Sequence, residues 1–153
     1  MSFKQIAVKT LKNSGARITK PRMAVIDCLD QSHEPLTAKE ITESIQSDAN
    51  QVDMDPVTTY RILDRFRELG LIHQINPSGR YMTCTHLKCQ EEYHVLLRCR
   101  NCQKVQEQHV PKHVMAPFFA YLSHQLQFHA GQDVFQLDGY CSSCAVPESS
   151  HRA

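Results

Sequence analysis

Along residues 1–70, apolar positions recur at three- and four-residue intervals, the period of helices that bury one face. Phe3, Ile6, Ala7 and Leu11 share the first such face. Thr19 followed by Pro21 marks a helix start, with Thr as cap and Pro in the first turn, and Val25, Ile26 and Leu29 line its buried side. Thr37 with Glu40 three residues on is a capping box, and Ala38, Ile41 and Ile45 continue that helix. Asp55 and Pro56 open a fourth helix, whose apolar residues are Ile62, Leu63, Phe66 and Leu69 and which Gly70 closes.

The period then changes. Leu71–Asn76 and Arg80–Cys84 are short extended runs about the turn signal Pro77-Ser78-Gly79, which predicts a β-hairpin. Helices ending in a hairpin are the order of a winged helix-turn-helix, though four-helix cores followed by hairpins occur in other folds too. Residues 85–92 are polar and read as a hinge. Tyr93–Arg98 alternates as a strand does, with Lys104–Val110 as its partner. Met115, Phe119, Leu122 and Leu126 mark an amphipathic helix; Pro117 inside that pattern either starts the helix or kinks it. Val134–Asp138 reads as a last strand, and the tail 147–153 as disordered. The expected fold class is α+β: a winged-helix domain over 1–84, the hinge over 85–92 and a small α/β domain over 93–146.

Composition bounds the function classes. The chain has 153 residues, 41% of them apolar, and no apolar run long enough to span a membrane. The N-terminus lacks the apolar core and cleavage site of a secretory signal, so a cytoplasmic protein is expected. Net charge is +1, but its distribution is uneven: residues 1–22 carry Lys4, Lys9, Lys12, Arg17, Lys20 and Arg22 and no acidic residue. Such an end is compatible with phosphate contact, or is simply a solvated basic face.

Seven cysteines in a reducing compartment favour metal ligation over disulfides. Cys99-Arg-Asn-Cys102 and Cys141-Ser-Ser-Cys144 can each hold a metal from one tight turn. Four thiolates make a closed tetrahedral zinc site, hence a structural one. An iron–sulfur cluster is the chemical rival. A second motif is Asp55-Pro-Val-Thr-Thr-Tyr-Arg61 at the opening of the fourth helix. In a helix-turn-helix these are the positions that face the major groove. Thr58, Thr59, Tyr60 and Arg61 suit it, through methyl and ring contacts to thymine and an Arg fork onto guanine or phosphate. The alternative is an ordinary helix N-terminus.

Arg17-Ile-Thr-Lys-Pro-Arg22, Pro56-Val-Thr-Thr-Tyr-Arg61, the hairpin into Tyr81, Cys99-x-x-Cys102-Gln-Lys-Val-x-Glu107 and Cys141-x-x-Cys144 together resemble the ferric uptake regulator (Fur) superfamily of metal-responsive repressors, over residues 3–144. The resemblance implies a homodimer, a winged helix that binds an AT-rich inverted repeat of double-stranded DNA, a C-terminal dimerisation domain and a regulatory metal site near the hinge. It puts Tyr60 and Arg61 at bases and Arg17 in the minor groove, where narrow A·T tracts attract cations. Gln103 stands where the family commonly has glycine, and a positive φ there would strain Gln.

The same resemblance addresses the regulatory metal. Iron- and peroxide-sensing members carry an HxH core before the first cysteine pair; here the run is His94-Val95-Leu96, so the second histidine is lost, and Val95 stands where another ligand would be acidic. His73, Cys84 and Glu107 match the sensory site of the zinc uptake regulator (Zur) branch, with His94 the expected fourth ligand, because imidazole is the better borderline donor, and Glu92 in reserve. A thiolate with imidazole and carboxylate donors suits tetrahedral zinc; Fe(II) and Mn(II) take harder, higher-coordinate sets. His86 and Cys89 lie outside the matched positions. The expectation is one structural and one regulatory zinc per chain, in a zinc-responsive repressor of metal-uptake genes; an iron- or peroxide-responsive regulator is the alternative. A zinc hydrolase needs an open metal position with an activated water, and no pocket signature accompanies Glu92. Neither enzymatic activity, a small-molecule substrate nor a membrane partner is expected. A zinc scaffold without DNA affinity is the remaining reading.

Overall fold

The structure is a computed structural model that describes residues 2–48, 52–84, 92–130 and 134–145. The chain divides into two compact units, 1–87 and 88–153. Of the hinge expected over 85–92, all but Glu92 falls outside the described residues, as do His86, Cys89 and the tail 147–153.

In the first unit the helix starts are set by side-chain caps. α1 (Phe3–Asn13) begins with a capping box between Ser2 and Gln5, and α2 (Lys20–Gln31) with the Thr19 hydroxyl and Pro21 in the first turn. α3 (Ala38–Ser47) carries the expected Thr37–Glu40 box, and α4 (Pro56–Glu68) is capped by Asp55 and followed by Gly70 in the left-handed region at φ 67°. β1 (Ile72–Ile75) and β2 (Arg80–Thr83) form the hairpin, with His73 opposite Met82. The other edge of β2 meets Leu36, which exchanges two backbone bonds with Tyr81.

The core of this unit is the set of apolar faces read from the pattern: Ala7, Leu11, Val25, Ile26, Leu29, Ile41, Ile45, Ile62, Leu63 and Phe66 are buried together with Leu71, Ile72 and Tyr81. Two polar contacts fix α3 within it. Glu40 accepts from the Thr37 backbone N–H at 2.7 Å and takes both arms of the Arg80 guanidinium at 3.1 Å, tying hairpin to helix. The buried hydroxyls of Thr42 and Thr59 meet at 2.8 Å between α3 and α4.

The second unit is a three-stranded sheet with one helix. β3 (Glu92–Cys99) is central, antiparallel to β4 (Val105–Pro111) and parallel to β5 (Val134–Gly139). The connection from β4 to β5 runs through α5 (Lys112–Gln125). His94, Val95, Leu96 and Cys99 are all buried, as a central strand requires. Alternation divides the sheet: Tyr93 turns to α5, with Phe119 stacked at 4.7 Å and Phe135 edge-on at 5.8 Å, while Glu92, His94 and Leu96 turn to the other face, with Glu107 and His109 of β4 beside them.

Three expectations need correction. Glu92 is the first residue of β3, so the hinge does not reach it. Of the two readings of Pro117, the helix start is the one corrected: α5 begins at Lys112, behind Pro111, with Pro117 inside it, where the other reading put it. Leu126 is past the last turn and exposed, whereas Met115, Phe119 and Leu122 are half-buried. A second apolar row, Val114, Phe118 and Tyr121, is exposed on the same helix.

Gln103, in the turn after β3, takes the left-handed conformation at φ 61° that its family position raised as a concern. Its amide compensates by donating to the Arg100 carbonyl at 2.7 Å. Gln103→Gly should stabilise the second unit by about 1 kcal/mol, because Gly carries no Cβ penalty in this region; thermal unfolding of the metal-loaded chain measures it. Thr59→Val keeps shape but removes one buried hydroxyl, and should destabilise the first unit by about 1–2 kcal/mol, with non-additivity in a double-mutant cycle with Thr42→Val; denaturant unfolding measures it.

Candidate metal centres and recognition helix

Parallel pairing of β3 with β5 sets Cys99 opposite Gly139, so the two cysteine turns leave the sheet side by side at one end. Arg100 extends the pairing by donating to the Gly139 carbonyl at 2.8 Å. The four sulfurs of Cys99, Cys102, Cys141 and Cys144 all lie within 4.8 Å of one another, with Cys102 and Cys141 at 3.9 Å. Thiolates 2.3 Å from a shared zinc would stand about 3.8 Å apart, so the cluster fits a tetrahedral ion with small adjustments.

The protonation chemistry agrees. The Cys141 backbone N–H, 3.5 Å from the Cys99 sulfur, together with the Cys102 and Asn101 amides pulls the Cys99 thiol down to about 6. Asn101 also favours the Cys144 thiolate, but the sulfurs of Cys141, Cys102 and Cys99 and burial outweigh it, and that thiol is pushed up to about 11. One thiolate is prepared by the backbone; four together need a cation among them.

The other sequence-predicted ligands form two pairs, one in each unit. In the hairpin, His73 and Cys84 are both buried. His73 opposes Met82, and Cys84 lies two residues further along the same face, its N–H bonded to the Leu71 carbonyl at 2.9 Å. Alternation thus makes them diagonal neighbours, with donor atoms within 4.8 Å of each other.

In the second unit, His94 Nδ1 is 2.6 Å from Glu107 Oε1, again a diagonal cross-strand pair, since Glu107 opposes Leu96. The Glu107 side chain is 1% exposed and that of His94 11%. Glu92, the reserve ligand of the sequence reading, stands apart from this pair, 39% exposed and 3.5 Å from His109 Nδ1. Sequence reasoning passed over His109. Its signal was available: Glu107 and His109 are two apart on a strand, hence on one face.

On α4, Tyr60 is 52% exposed and Arg61 is exposed as well. Thr58 is half-buried, with its N–H and hydroxyl both on the Asp55 carboxylate. Thr59 corrects the sequence reading: it is fully buried, its hydroxyl on Thr42, so it offers nothing to a groove. Its spacing to Ile62, Leu63 and Phe66 places it on the core face of α4. Arg17 is exposed before α2, its carbonyl accepting from the Arg22 guanidinium.

Among known proteins, the ferric uptake regulator family pattern matches residues 13–117 of this chain. The peroxide-responsive repressor PerR of Staphylococcus saprophyticus is 28% identical over 141 residues, covering 90% of this chain and 88% of its own. The peroxide operon regulator of Bacillus subtilis is 29% identical over 146 residues, covering 94% of each chain. A solved zinc uptake regulator complexed with zinc and DNA has a TM-score of 0.74 at 19% identity, covering 94% of this chain and 95% of its own, a likeness of fold. With its helices, hairpin and second α/β unit accounted for, and more than half its length matched, this chain belongs to the ferric uptake regulator family, whose members are transcription regulators and not enzymes.

Proposed function

We propose that this chain is a zinc-responsive transcriptional repressor of metal-uptake genes that binds AT-rich inverted-repeat DNA as a homodimer in the cytoplasm. The observation that carries the reading is the pair of buried half-sites, His73 with Cys84 and His94 with Glu107. Each offers two donors, too few for a stable tetrahedral site. Together they offer one thiolate, two imidazoles and one carboxylate, a set that suits zinc over Fe(II) or Mn(II).

A bound zinc supplies a fixed tetrahedral joint between these donors. Cys84 and Glu107 bring the two negative charges that neutralise it, and His73 and His94 complete the set without further charge. His73 and Cys84 belong to the proposed DNA-binding domain, 1–84, and His94 and Glu107 to the proposed dimerisation domain, 93–146. Only an arrangement that gathers both half-sites offers all four donors, so metal occupancy and that arrangement are linked by population shift. The angle between domains sets the spacing of the two recognition helices in a dimer, which must match the half-sites.

Four features support the DNA and dimer parts of the reading. Tyr60 and Arg61 are exposed at the start of α4, and Arg17 is exposed before α2. Val114, Phe118 and Tyr121 form an exposed apolar row on α5. The solved relative is described as complexed with zinc and DNA. The four-cysteine cluster is assigned a second zinc, structural, because its donors leave no open position.

An iron- or peroxide-responsive regulator is the second reading, favoured by the names of the curated relatives. Against it, Leu96 is 1% exposed in the sheet and offers no ligand where those members carry their second histidine.

Cys84→Ser should lower zinc-dependent affinity for an AT-rich inverted-repeat duplex by at least about 100-fold, since it removes the thiolate itself, beyond the 10–100-fold typical of outer-shell changes. One zinc per chain should remain in the four-cysteine cluster. Fluorescence anisotropy with metal analysis measures both, and full zinc-dependent binding by this variant would sink the assignment.

A further inference from the structure

The first turn of α4 holds Val57, Thr58 and Thr59 in succession, and the structure gives each a different place. Thr59 is fully buried, with its hydroxyl on Thr42. Thr58 is half-buried, and its N–H and hydroxyl both donate to the Asp55 carboxylate, so it serves the helix cap. Val57 is 62% exposed. Helical phase puts it on the face opposite Thr59, Ile62 and Phe66, with Tyr60 and Arg61 three and four positions on and therefore beside it. The fold gains little from a valine here. A β-branched residue is a poorer helix former than Ala, and at this exposure it buries little apolar area.

A single exposed apolar side chain is ordinary. The charge around this one sets it apart. α4 has three arginines, all after Val57. Arg65 is paired with Glu68 at 2.9 Å and Arg67 with Asp64 at 3.4 Å, whereas Arg61 makes no ion pair among the described residues. The C-terminal half of the helix is thus neutralised within itself, and the cation left over stands one turn from Val57. The Asp55 carboxylate is turned into the cap. An apolar side chain flanked by an exposed ring and an unpaired guanidinium suits a surface with anionic edges and apolar points on its floor. The major groove of DNA is such a surface: phosphates border it, and each thymine projects its C5 methyl group into it.

We propose that Val57 is a specificity-determining residue: its methyl groups meet the C5 methyl of a thymine in the major groove of double-stranded DNA, between Tyr60 and Arg61. This deepens the DNA-binding reading and rests on it. The contact involves no hydrogen bond. It therefore distinguishes thymine from uracil, which pair identically with adenine and differ only by that methyl.

The test uses the full zinc-loaded chain and a duplex that the wild type selects from a randomised AT-rich inverted-repeat pool. Each thymine is replaced in turn by deoxyuridine, symmetrically in both half-sites, and fluorescence anisotropy measures affinity. For the wild type, replacement at one position should cost about 4-fold per half-site, the worth of one buried methyl-sized group. Val57→Ala should bind the thymine duplex about 4-fold more weakly per half-site, and the same replacement should then change its affinity by no more than about 2-fold, the non-additivity of two groups in contact. Val57→Thr, which keeps one methyl group and the branched shape, should retain part of the uracil penalty. Thermal unfolding of Val57→Ala should match wild type, because the side chain is exposed. A uracil penalty unchanged in Val57→Ala, or no position at which uracil costs affinity, overturns the proposal. If either result comes while Arg61→Ala loses binding to the same duplex, only this contact fails. If the wild type selects no duplex from the pool, the DNA-binding reading fails and takes this proposal with it.

Discussion

Successive side chains of a β-strand point to opposite faces, and that alternation assembles each half of the proposed regulatory site. Cys84 joins His73 because it is two residues beyond the cross-strand partner of His73. Glu107 joins His94 by the same diagonal, and His109 lies on that face because it is two residues from Glu107. A slip of one residue in either hairpin would turn every one of these donors to the opposite face. Register is therefore the constraint under the whole regulatory chemistry, and it is held by backbone ladders and by burial: Leu71, Ile72, Tyr81, Val95 and Leu96 are all within the core.

The four-cysteine cluster depends on a different consequence of pairing. Cys99 and Cys141 are distant in sequence, and only the parallel alignment of β3 with β5 brings their turns together. α5 makes that alignment possible by carrying the chain back across the sheet, seated through Phe119 against Tyr93 and Phe135. A metal at this end then closes a long loop, which costs little once the sheet is formed. Arg98, paired with Asp138 across β3 and β5, adds an ionic clasp beside the same end and pulls the Asp138 carboxyl down to about 2.

Much of this was legible in the chain itself, because local signals and tertiary outcome agree. Thr19, Thr37 and Asp55 cap the helices they were read to cap, and the periodic apolar faces are the buried ones. The paired cysteines came together as their spacing implied. Where the reading fell short, a tertiary fact had overruled a local one. Thr59 was read by its neighbours in a motif, yet its helical phase with Ile62 and Phe66 decides its burial. Pro117 was read as a start or a kink within the helix, and α5 takes it inside, from Lys112 onward. His109 was missed because a motif ends at Glu107 and the strand does not.

Everything proposed for this family member turns on whether it answers to zinc, through four donors drawn from both units. The most direct measurement is operator binding at buffered free concentrations of Zn(II), Fe(II) and Mn(II), with the structural zinc already in place. Zinc should switch on DNA binding at far lower free concentration than iron or manganese, and hydrogen peroxide should not release the zinc-loaded protein. Binding that requires Fe(II) or Mn(II), with zinc giving no activation beyond the structural ion, would contradict it.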